Sequence, residues 1–165
     1  MRVVVTGSSG LIGQALCSHL TRSDHHVIPV VRRPVRPGEF ALRWDPDAGT
    51  IDVGGLEGVD AVVNLAGAGI GDSRWNEARR RVLVESRTRS TALLAGVLAG
   101  LDRKPRVLVS ASAIGIYGER ADEVLTEQSS PGNDFLASLC VRWEAEAAPP
   151  PRLGSGLYVL APASC

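Results

Sequence analysis

Short apolar runs rich in β-branched residues alternate with longer amphipathic segments along the chain. Arg2–Thr6 is a continuous valine-rich run, which is typical of a strand covered on both faces of a sheet. His26–Val31, Ala61–Leu65 and Arg106–Val109 repeat this pattern later in the chain. The alternation of such strands with helical segments predicts a parallel α/β sheet.

Three segments have the apolar spacing of a helix. The first starts at Leu11 and repeats apolar positions about every four residues, in a stripe that includes His19 as a packing residue. The second runs from roughly Asn76 to Leu101, and the third runs from Phe135 to Ala147. Trp44–Gly58 follows neither the helical nor the strand period, so we expect it to be irregular.

The composition is that of one globular domain without net charge. The 165 residues include 18 basic and 18 acidic side chains, and 44% of the residues are apolar, which disfavours a disordered or nucleic-acid-coating chain. No apolar run reaches the ~18 residues that a bilayer span requires, and no signal-type segment precedes the first strand. We therefore expect a cytoplasmic protein whose partners are neither nucleic acid nor membrane.

The cysteines and lysines restrict the chemistry of the chain. Cys17, Cys140 and Cys165 are widely spaced and form no Cys-x-x-Cys pair. We therefore expect buried thiols, and neither a disulfide framework nor a metal site. Of the 18 basic residues 17 are arginine, so any reaction that needs a lysine must use Lys104.

The turn between the first strand and the first helix has the glycine spacing of a dinucleotide-binding loop. Its sequence is Gly7-Ser8-Ser9-Gly10-Leu11-Ile12-Gly13. Such glycines permit a tight turn and a close backbone approach to a pyrophosphate, and the helix start offers free N–H groups. We assign Gly7, Gly10, Ile12 and Gly13 to a cofactor site. The alternative is a glycine-rich turn that binds nothing.

The end of the second strand predicts which dinucleotide binds. An acidic residue there would bind a ribose 2′-hydroxyl and exclude a 2′-phosphate, but Arg32 and Arg33 follow Val31. A guanidinium suits a phosphate by its charge and by its planar fork of donors. The pattern favours NADP(H) over NAD(H), with Val31, Arg32 and Arg33 at the site. The alternative is that both arginines are solvated loop charges.

Further motifs lie at strand ends and helix starts across residues 1–147. They are Thr6–Gly13, Val31–Pro34, Trp44–Pro46, Asn64–Gly67, Arg74–Asn76, Ser86-Arg87, Ser110–Ser112 with Tyr117-Gly118, Phe135–Ala137 and Trp143-Glu144. Together they resemble the N-terminal part of an atypical extended short-chain dehydrogenase/reductase, of the nucleoside-diphosphate-sugar epimerase branch of the NAD(P)-dependent epimerase/dehydratase superfamily. The resemblance implies a Rossmann-type doubly wound parallel sheet, C-terminally truncated relative to the family.

The resemblance also implies roles for individual residues. Arg32 would contact the 2′-phosphate, Leu65 and Ala66 would line the adenine-ribose side, and Arg87 would reach the cofactor from the long helix. Arg87 lies on an otherwise apolar helical stripe, where a guanidinium needs an anionic partner. The cofactor would serve as that partner, and a structural ion pair with a carboxylate is the alternative. We expect Arg79-Arg80-Arg81 to form a solvated face.

The acid/base pair of the resembled superfamily is missing. The usual chemistry needs a Tyr-x-x-x-Lys pair, but the residue four before Lys104 is Gly100. In the third helix, Leu136 and Cys140 occupy the expected positions, and neither supplies the required proton donor and cation. Ser112 and Tyr117 remain as candidate catalytic groups, with Ser110 as the alternative to Ser112 because the spacing to Tyr117 is one residue longer than usual. Their alternatives are a strand-end hydroxyl bonded to backbone and a wall residue.

The sequence leaves three hypotheses about the function. The first is an NADP(H)-binding domain, residues 1–148, with nominal hydride transfer at a carbonyl or carbinol of a small molecule or sugar nucleotide that the sequence does not identify. The second is a non-enzymatic NADP(H)-binding module. The third is an inactive truncated product, because the superfamily holds its substrate with a C-terminal half that we expect to be absent here.

Residues 149–165 fit the family pattern poorly. The resemblance expects an aliphatic strand that leads to Arg-Thr-Gly. Gly154–Cys165, back-translated with GC-rich codons and read one base earlier, gives Gly-Leu-Arg-Val-Val-Arg-Thr-Arg-Thr-Gly-Ile-Val. We therefore hypothesise a frameshift near Pro149-Pro150-Pro151, a run that ends any helix before it.

Overall fold

A single sheet with helices on both faces forms the domain. The computed structural model describes residues 1–147 and 157–163. The described strands are β1 (Arg2–Thr6), β2 (His26–Val31), β3 (Leu42–Asp45), β4 (Thr50–Ile51), β5 (Ala61–Asn64), β6 (Val107–Ala113) and β7 (Leu157–Ala163), and the helices are α1 (Leu11–Arg22), α2 (Glu77–Gly100) and α3 (Phe135–Ala147). The order across the sheet is β4-β3-β2-β1-β5-β6-β7. Every pairing is parallel except that of β3 with β4.

Alternate residues of the strands build a separate core on each face of the sheet. Val4, Ile28 and Val62 pack with Leu94 and Leu98 of α2 on one face. On the other face, a second cluster joins β1, β2 and β5 to α1 through Val3, Val5, Ala61, Val27, Val63, Leu16, Cys17 and Leu20. The continuous apolar runs in the strands are explained by this double coverage. The prediction of a Rossmann-type doubly wound sheet is confirmed.

The packing of α3 completes the first face. Trp143 and Leu139 of α3 contact Leu83 of α2. Cys140 lies in the same cluster and is buried, whereas Cys17 in α1 is only half-buried, so the expectation of buried thiols was wrong for Cys17. Cys165 lies outside the described residues.

The prediction of an irregular segment over Trp44–Gly58 was wrong in part. Leu42–Asp45 forms β3, which pairs with the end of β2, and Thr50–Ile51 returns antiparallel as β4. Trp44 is 3% exposed and belongs to the core under α2. Four alternating residues are enough for a strand here because β2 on one side and β4 on the other supply hydrogen-bonding partners.

The predicted inner face of α1 was also partly wrong. Leu16 and Leu20 of the predicted stripe pack against the sheet, and Cys17 packs beside them, whereas Leu11, Ile12 and His19, which the stripe also included, are exposed. The helix is rotated relative to the predicted orientation, because Gly13 is its buried residue. A glycine carries no hydrophobic signal, so the apolar period alone gave a face displaced by one position.

The last described strand continues the parallel sheet. β7 pairs with β6 along its whole length, from Val107 opposite Leu157 to Ala113 opposite Ala163. The Pro149-Pro150-Pro151 run and its proposed frameshift lie outside the described residues. Among the helices that the structure describes, none is long and apolar enough to cross a membrane.

Candidate functional site

A cleft of about 640 Å³ opens at the carboxyl ends of β1, β2 and β5. β1 lies between β2 and β5, so the chain passes from β1 to β2 on one side and later returns to β5 on the other side of β1. Such a switch in strand order is where open α/β sheets bind ligands. The cleft is lined by Gly7, Ser8, Ser9, Pro29, Val30, Val31, Arg32, Arg33, Glu39, Trp44, Ala66, Gly67, Ala68, Val82 and Ser86.

The loop after β1 has a shape that only glycine permits at its first position. Gly7 has φ +66°, and a Cβ there would lie 2.6 Å from the carbonyl oxygen of Leu65. The Gly10 N–H donates to the Gly7 carbonyl at 3.0 Å, which closes the turn. Gly10 is the N-cap of α1 and has no capping side chain. The first N–H groups of α1 are therefore without a side-chain cap at the cleft.

Gly13 brings α1 against this loop. A Cβ on Gly13 would lie 2.2 Å from the Gly7 carbonyl oxygen and 2.7 Å from the Ser8 Cα. Both contacts are with backbone, which cannot rotate away as a side chain can. Ile12 beside it is 52% exposed. Gly10, Ile12 and Gly13 shape the loop without lining the cleft itself.

The two arginines after β2 differ in their partners. Arg32 is exposed at the cleft, and no side-chain hydrogen bond or salt bridge to it is found within residues 1–147. Arg33 donates to both carboxylate oxygens of Glu39 and, at 3.0 Å, to the carbonyl oxygen of Pro34. Of the two, Arg32 is the guanidinium that is free for an added anion.

Glu39 is a cleft residue that the sequence reasoning missed. The second strand carries no acidic residue, but the loop that follows folds back and places Glu39 in the cleft lining. The Arg33 guanidinium and the backbone N–H of Arg36 lower the pKa of its carboxyl to about 2. Glu39 therefore carries its negative charge at any physiological pH, opposite Arg33.

The loop after β5 rests on a buried polar network. Leu65 donates its N–H to Thr6 Oγ1 at 3.1 Å, and Ala66, which is buried, lines the cleft. Asn64 underlies both residues. Its side chain accepts from Thr6 Oγ1 at 2.7 Å and donates to Thr91 Oγ1 at 2.9 Å and Ser110 Oγ at 3.2 Å. The network ties the two cleft loops to α2 and β6.

Arg87 of α2 is 8% exposed and lies beneath the loop after β5. Its guanidinium carbon is 5.2 Å from the ring centre of Trp143, and it donates to the Leu83 carbonyl oxygen at 3.1 Å. Burial, followed by the charge of Arg79, lowers its pKa. No carboxylate pairs with it in the described part of the chain, so the structural ion pair is not observed. A Cβ on Gly67 would lie 3.0 Å from the same guanidinium carbon.

The expectation of a solvated Arg79 was wrong. Its side chain is 17% exposed and donates to the Gly69 carbonyl oxygen and, at 3.2 Å, to Asp72. These bonds hold the loop that leads from β5 into α2. Arg80 lies over the ring of Phe135 at 5.2 Å, whereas Arg81 is exposed as expected. The position of Arg79 depends on the loop, which the helical pattern does not reveal.

Ser112 and Tyr117 lie in different surroundings. Ser112, at 4% exposure, donates its hydroxyl to the carboxylate of Glu144 on α3. Tyr117 ends a short 3-10 turn, Ile114–Tyr117, and lines a separate cleft of about 300 Å³ with Gly118 and Asn133. The hydrogen bonds described over residues 1–147 do not join the two hydroxyls. Glu144 was not predicted as a partner, because a contact 32 positions away requires the folded chain.

Comparisons with known proteins agree with this architecture. The model of the NAD dependent epimerase/dehydratase family matches residues 3–139. Epimerase family protein Mb2239 of Mycobacterium bovis is 42% identical over 153 residues, which cover 93% of this chain and 50% of that protein. A human relative, epimerase family protein SDR39U1, is 35% identical over 153 residues, which cover 91% of this chain and 50% of that protein.

A solved structure is also similar. The crystal structure of human epimerase family protein SDR39U1 with NADPH has a TM-score of 0.83 and 32% identity, and the match covers 97% of this chain and 52% of that one. The chain thus spans about half the length of the curated relatives it matches.

Proposed function

The chain belongs to the NAD dependent epimerase/dehydratase family, and from this premise we propose that it binds NADP(H) in the cleft at the carboxyl ends of β1, β2 and β5. The observation that carries the proposal is Arg32, an arginine without a side-chain partner in the described chain, at the end of β2. Arg32 shares the cleft with the loop after β1, whose conformation at position 7 only glycine permits. A relative of this chain has been crystallised with NADPH.

The cleft residues fit the parts of the dinucleotide. The turn from Gly7 to Gly10 and the start of α1 would hold the pyrophosphate through backbone N–H groups. Gly13 keeps α1 close enough to this turn for those N–H groups to converge. Val31 and Ala66 would form the adenine-ribose side, and Arg32 would pair with the 2′-phosphate by a planar fork of donors. Leu65, which packs in the α1-side cluster and does not line the cleft, would contribute to that side through its place in the same loop.

Arg87 fits a supporting role at the same end of the sheet. It is buried against Trp143 without a carboxylate partner among the described residues, and it lies against Gly67 of the cleft. A positive charge that burial has stripped of water is stabilised by an approaching anion or by a carbonyl dipole. We assign Arg87 to the cofactor end of α2 on this ground.

Hydride transfer at a carbonyl or carbinol carbon of a small molecule or sugar nucleotide is the nominal reaction. The nicotinamide of a bound dinucleotide supplies or accepts the hydride in such a reaction, and the protein must then hold and move one proton. Ser112 and Tyr117 are the candidates. A binding module without turnover is the second candidate function, because Ser112 donates its only hydroxyl proton to Glu144 and α3 carries Leu136 and Cys140 at the acid/base positions.

Isothermal titration of the purified chain with NADPH and NADH tests the binding proposal. We expect NADPH to bind at least tenfold more tightly, which corresponds to about 1.4 kcal/mol, and Arg32→Ala to remove most of that preference. Arg43→Ala is the matched control, because Arg43 is an exposed arginine of β3 that does not line the cleft. Equal affinities of the wild type for the two cofactors would refute the assignment of Arg32.

A turnover assay with common nucleotide sugars separates the two candidate functions. We expect no robust dehydrogenase or epimerase activity from this 165-residue chain. A rate within tenfold of the ~10 per second of an ordinary enzyme, lost in Ser112→Ala or Tyr117→Phe, would favour the enzyme.

A further inference from the structure

The candidate cofactor cleft contains an acidic side chain at the end where a phosphate is expected. We propose that Arg33 is a specificity-determining residue that neutralises Glu39, so that Glu39 does not repel the 2′-phosphate that Arg32 binds. This inference rests on the proposed function and deepens it. It gives the two adjacent arginines different tasks, one as a ligand of the cofactor and the other as a partner of the protein's own carboxylate.

The geometry of the Arg33–Glu39 pair supports this division. Both terminal nitrogens of Arg33 donate to Glu39, one to each carboxylate oxygen. One of these nitrogens also donates to the Pro34 carbonyl, which fixes the side chain along the loop. The Arg36 N–H adds a third donor to Glu39 at 3.0 Å. Arg33 would have to give up a two-point carboxylate contact, a strong form of ion pair, to bind a phosphate directly.

An unpaired Glu39 would change the preference of the cleft. A carboxylate at the ribose end of a Rossmann cleft accepts hydrogen bonds from the 2′-hydroxyl and disfavours a 2′-phosphate. Glu39 lines the same cleft as Arg32, so its charge would act on a phosphate that Arg32 binds there. By neutralising Glu39, Arg33 therefore removes a determinant of NAD(H) preference that the chain would otherwise carry.

The size of the effect is limited by solvent. The side chain of Arg33 is 46% exposed and that of Glu39 is 25% exposed, so water and salt screen the repulsion. We expect Arg33→Ala to weaken NADPH binding by about five- to tenfold at low ionic strength. NADH binding should stay within about twofold or become tighter, because its ribose carries a hydroxyl that Glu39 can accept from.

A double-mutant cycle on NADPH affinity tests the inference. The set is the wild type, Arg33→Ala, Glu39→Ala and the double variant, each titrated with NADPH and NADH by calorimetry. If Arg33 only neutralises Glu39, removing both side chains restores NADPH binding to within about threefold of the wild type. Glu39→Ala alone should bind NADPH as tightly as the wild type or more tightly.

Two results would overturn the inference. A double variant as weak as Arg33→Ala would mean that Arg33 contacts the phosphate itself. A Glu39→Ala variant as weak as Arg33→Ala would mean that the pair serves only to hold the loop. Arg33→Gln replaces the alanine variant if circular dichroism shows that the latter is unfolded, and Arg43→Ala reports the effect of losing one positive charge outside the cleft.

The wild-type titration separates this inference from the proposed function. If the wild type prefers NADPH and the double variant does not recover, only the role of Arg33 is refuted. If the wild type binds neither dinucleotide, or binds both equally, the proposed function is refuted and the role of Arg33 with it.

Discussion

Replacing Gly13 with alanine places a methyl group inside the contact between α1 and the loop after β1. The new Cβ would lie 2.2 Å from the Gly7 carbonyl oxygen, whereas real Cβ atoms essentially never come closer than 3.0 Å to such atoms. Neither partner is a side chain, so α1 must move away from the loop by roughly 1 Å, in a region packed as closely as a crystal. Overpacking of this kind costs about 1–3 kcal/mol, and it also displaces the N–H groups proposed to bind the pyrophosphate.

Urea denaturation of Gly13→Ala, with NADPH titration of the folded variant, measures both effects. We expect a loss of about 2 kcal/mol in the free energy of unfolding and at least a tenfold loss in NADPH affinity. Gly96→Ala is the matched control, since Gly96 lies in α2 with open space around its Cβ position. Alanine should stabilise that helix by about 0.5–1 kcal/mol. A Gly13→Ala variant as stable as the wild type and binding NADPH equally well would refute the reasoning.

Three further predictions concern the network, a thiol and the end of the chain. Thr91→Val should lower the free energy of unfolding, measured in urea, by about 2–4 kcal/mol, because the Asn64 amide and the Trp143 indole N–H both donate to the Thr91 hydroxyl. Thr88→Val, which removes a half-buried hydroxyl from the same helix, should cost less than about 1 kcal/mol. Burial, and then the Glu144 carboxylate, raise the pKa of the Cys140 thiol, so the folded state should lose stability as the pH rises past the ordinary thiol pKa. At pH 8.5 iodoacetamide should label Cys140 more slowly than Cys17, as peptide mass spectrometry would show, and equal rates would contradict this burial. The genomic codons of Gly154–Cys165, read in the neighbouring frame, should continue into a substrate domain, and a stop codon there would refute the frameshift.

The parts of the fold that depend on local pattern could be predicted from the sequence. β1 and β2 have the predicted bounds because each contains a continuous run of apolar residues, and the predicted bounds of α3 also match. The short strand β3 was missed, because Leu42–Asp45 offers only four residues of alternation. The inner face of α1 was displaced because its closest contact is made by Gly13, which has no side chain to count.

The parts of the site that depend on tertiary contact could not be predicted. The glycine spacing and the arginines after β2 are local signals, and the structure brings Gly7, Arg32 and Ala66 to one cleft. Glu39 enters that cleft only through the fold of its loop, and Glu144 meets Ser112 across α3 and β6. Both partners are carboxylates that look like ordinary surface charges in the sequence.

Phosphorus NMR of the bound 2′-phosphate of NADP tests most directly whether Arg32 binds that group. A phosphate monoester titrates near a pKa of about 6 in solution, and pairing with a guanidinium favours its dianion. With the wild type we expect the bound 2′-phosphate resonance to remain that of the dianion well below pH 6, and with Arg32→Ala we expect the titration to return toward that of the free cofactor. A bound 2′-phosphate that titrates in the wild type as it does in free solution would contradict the account.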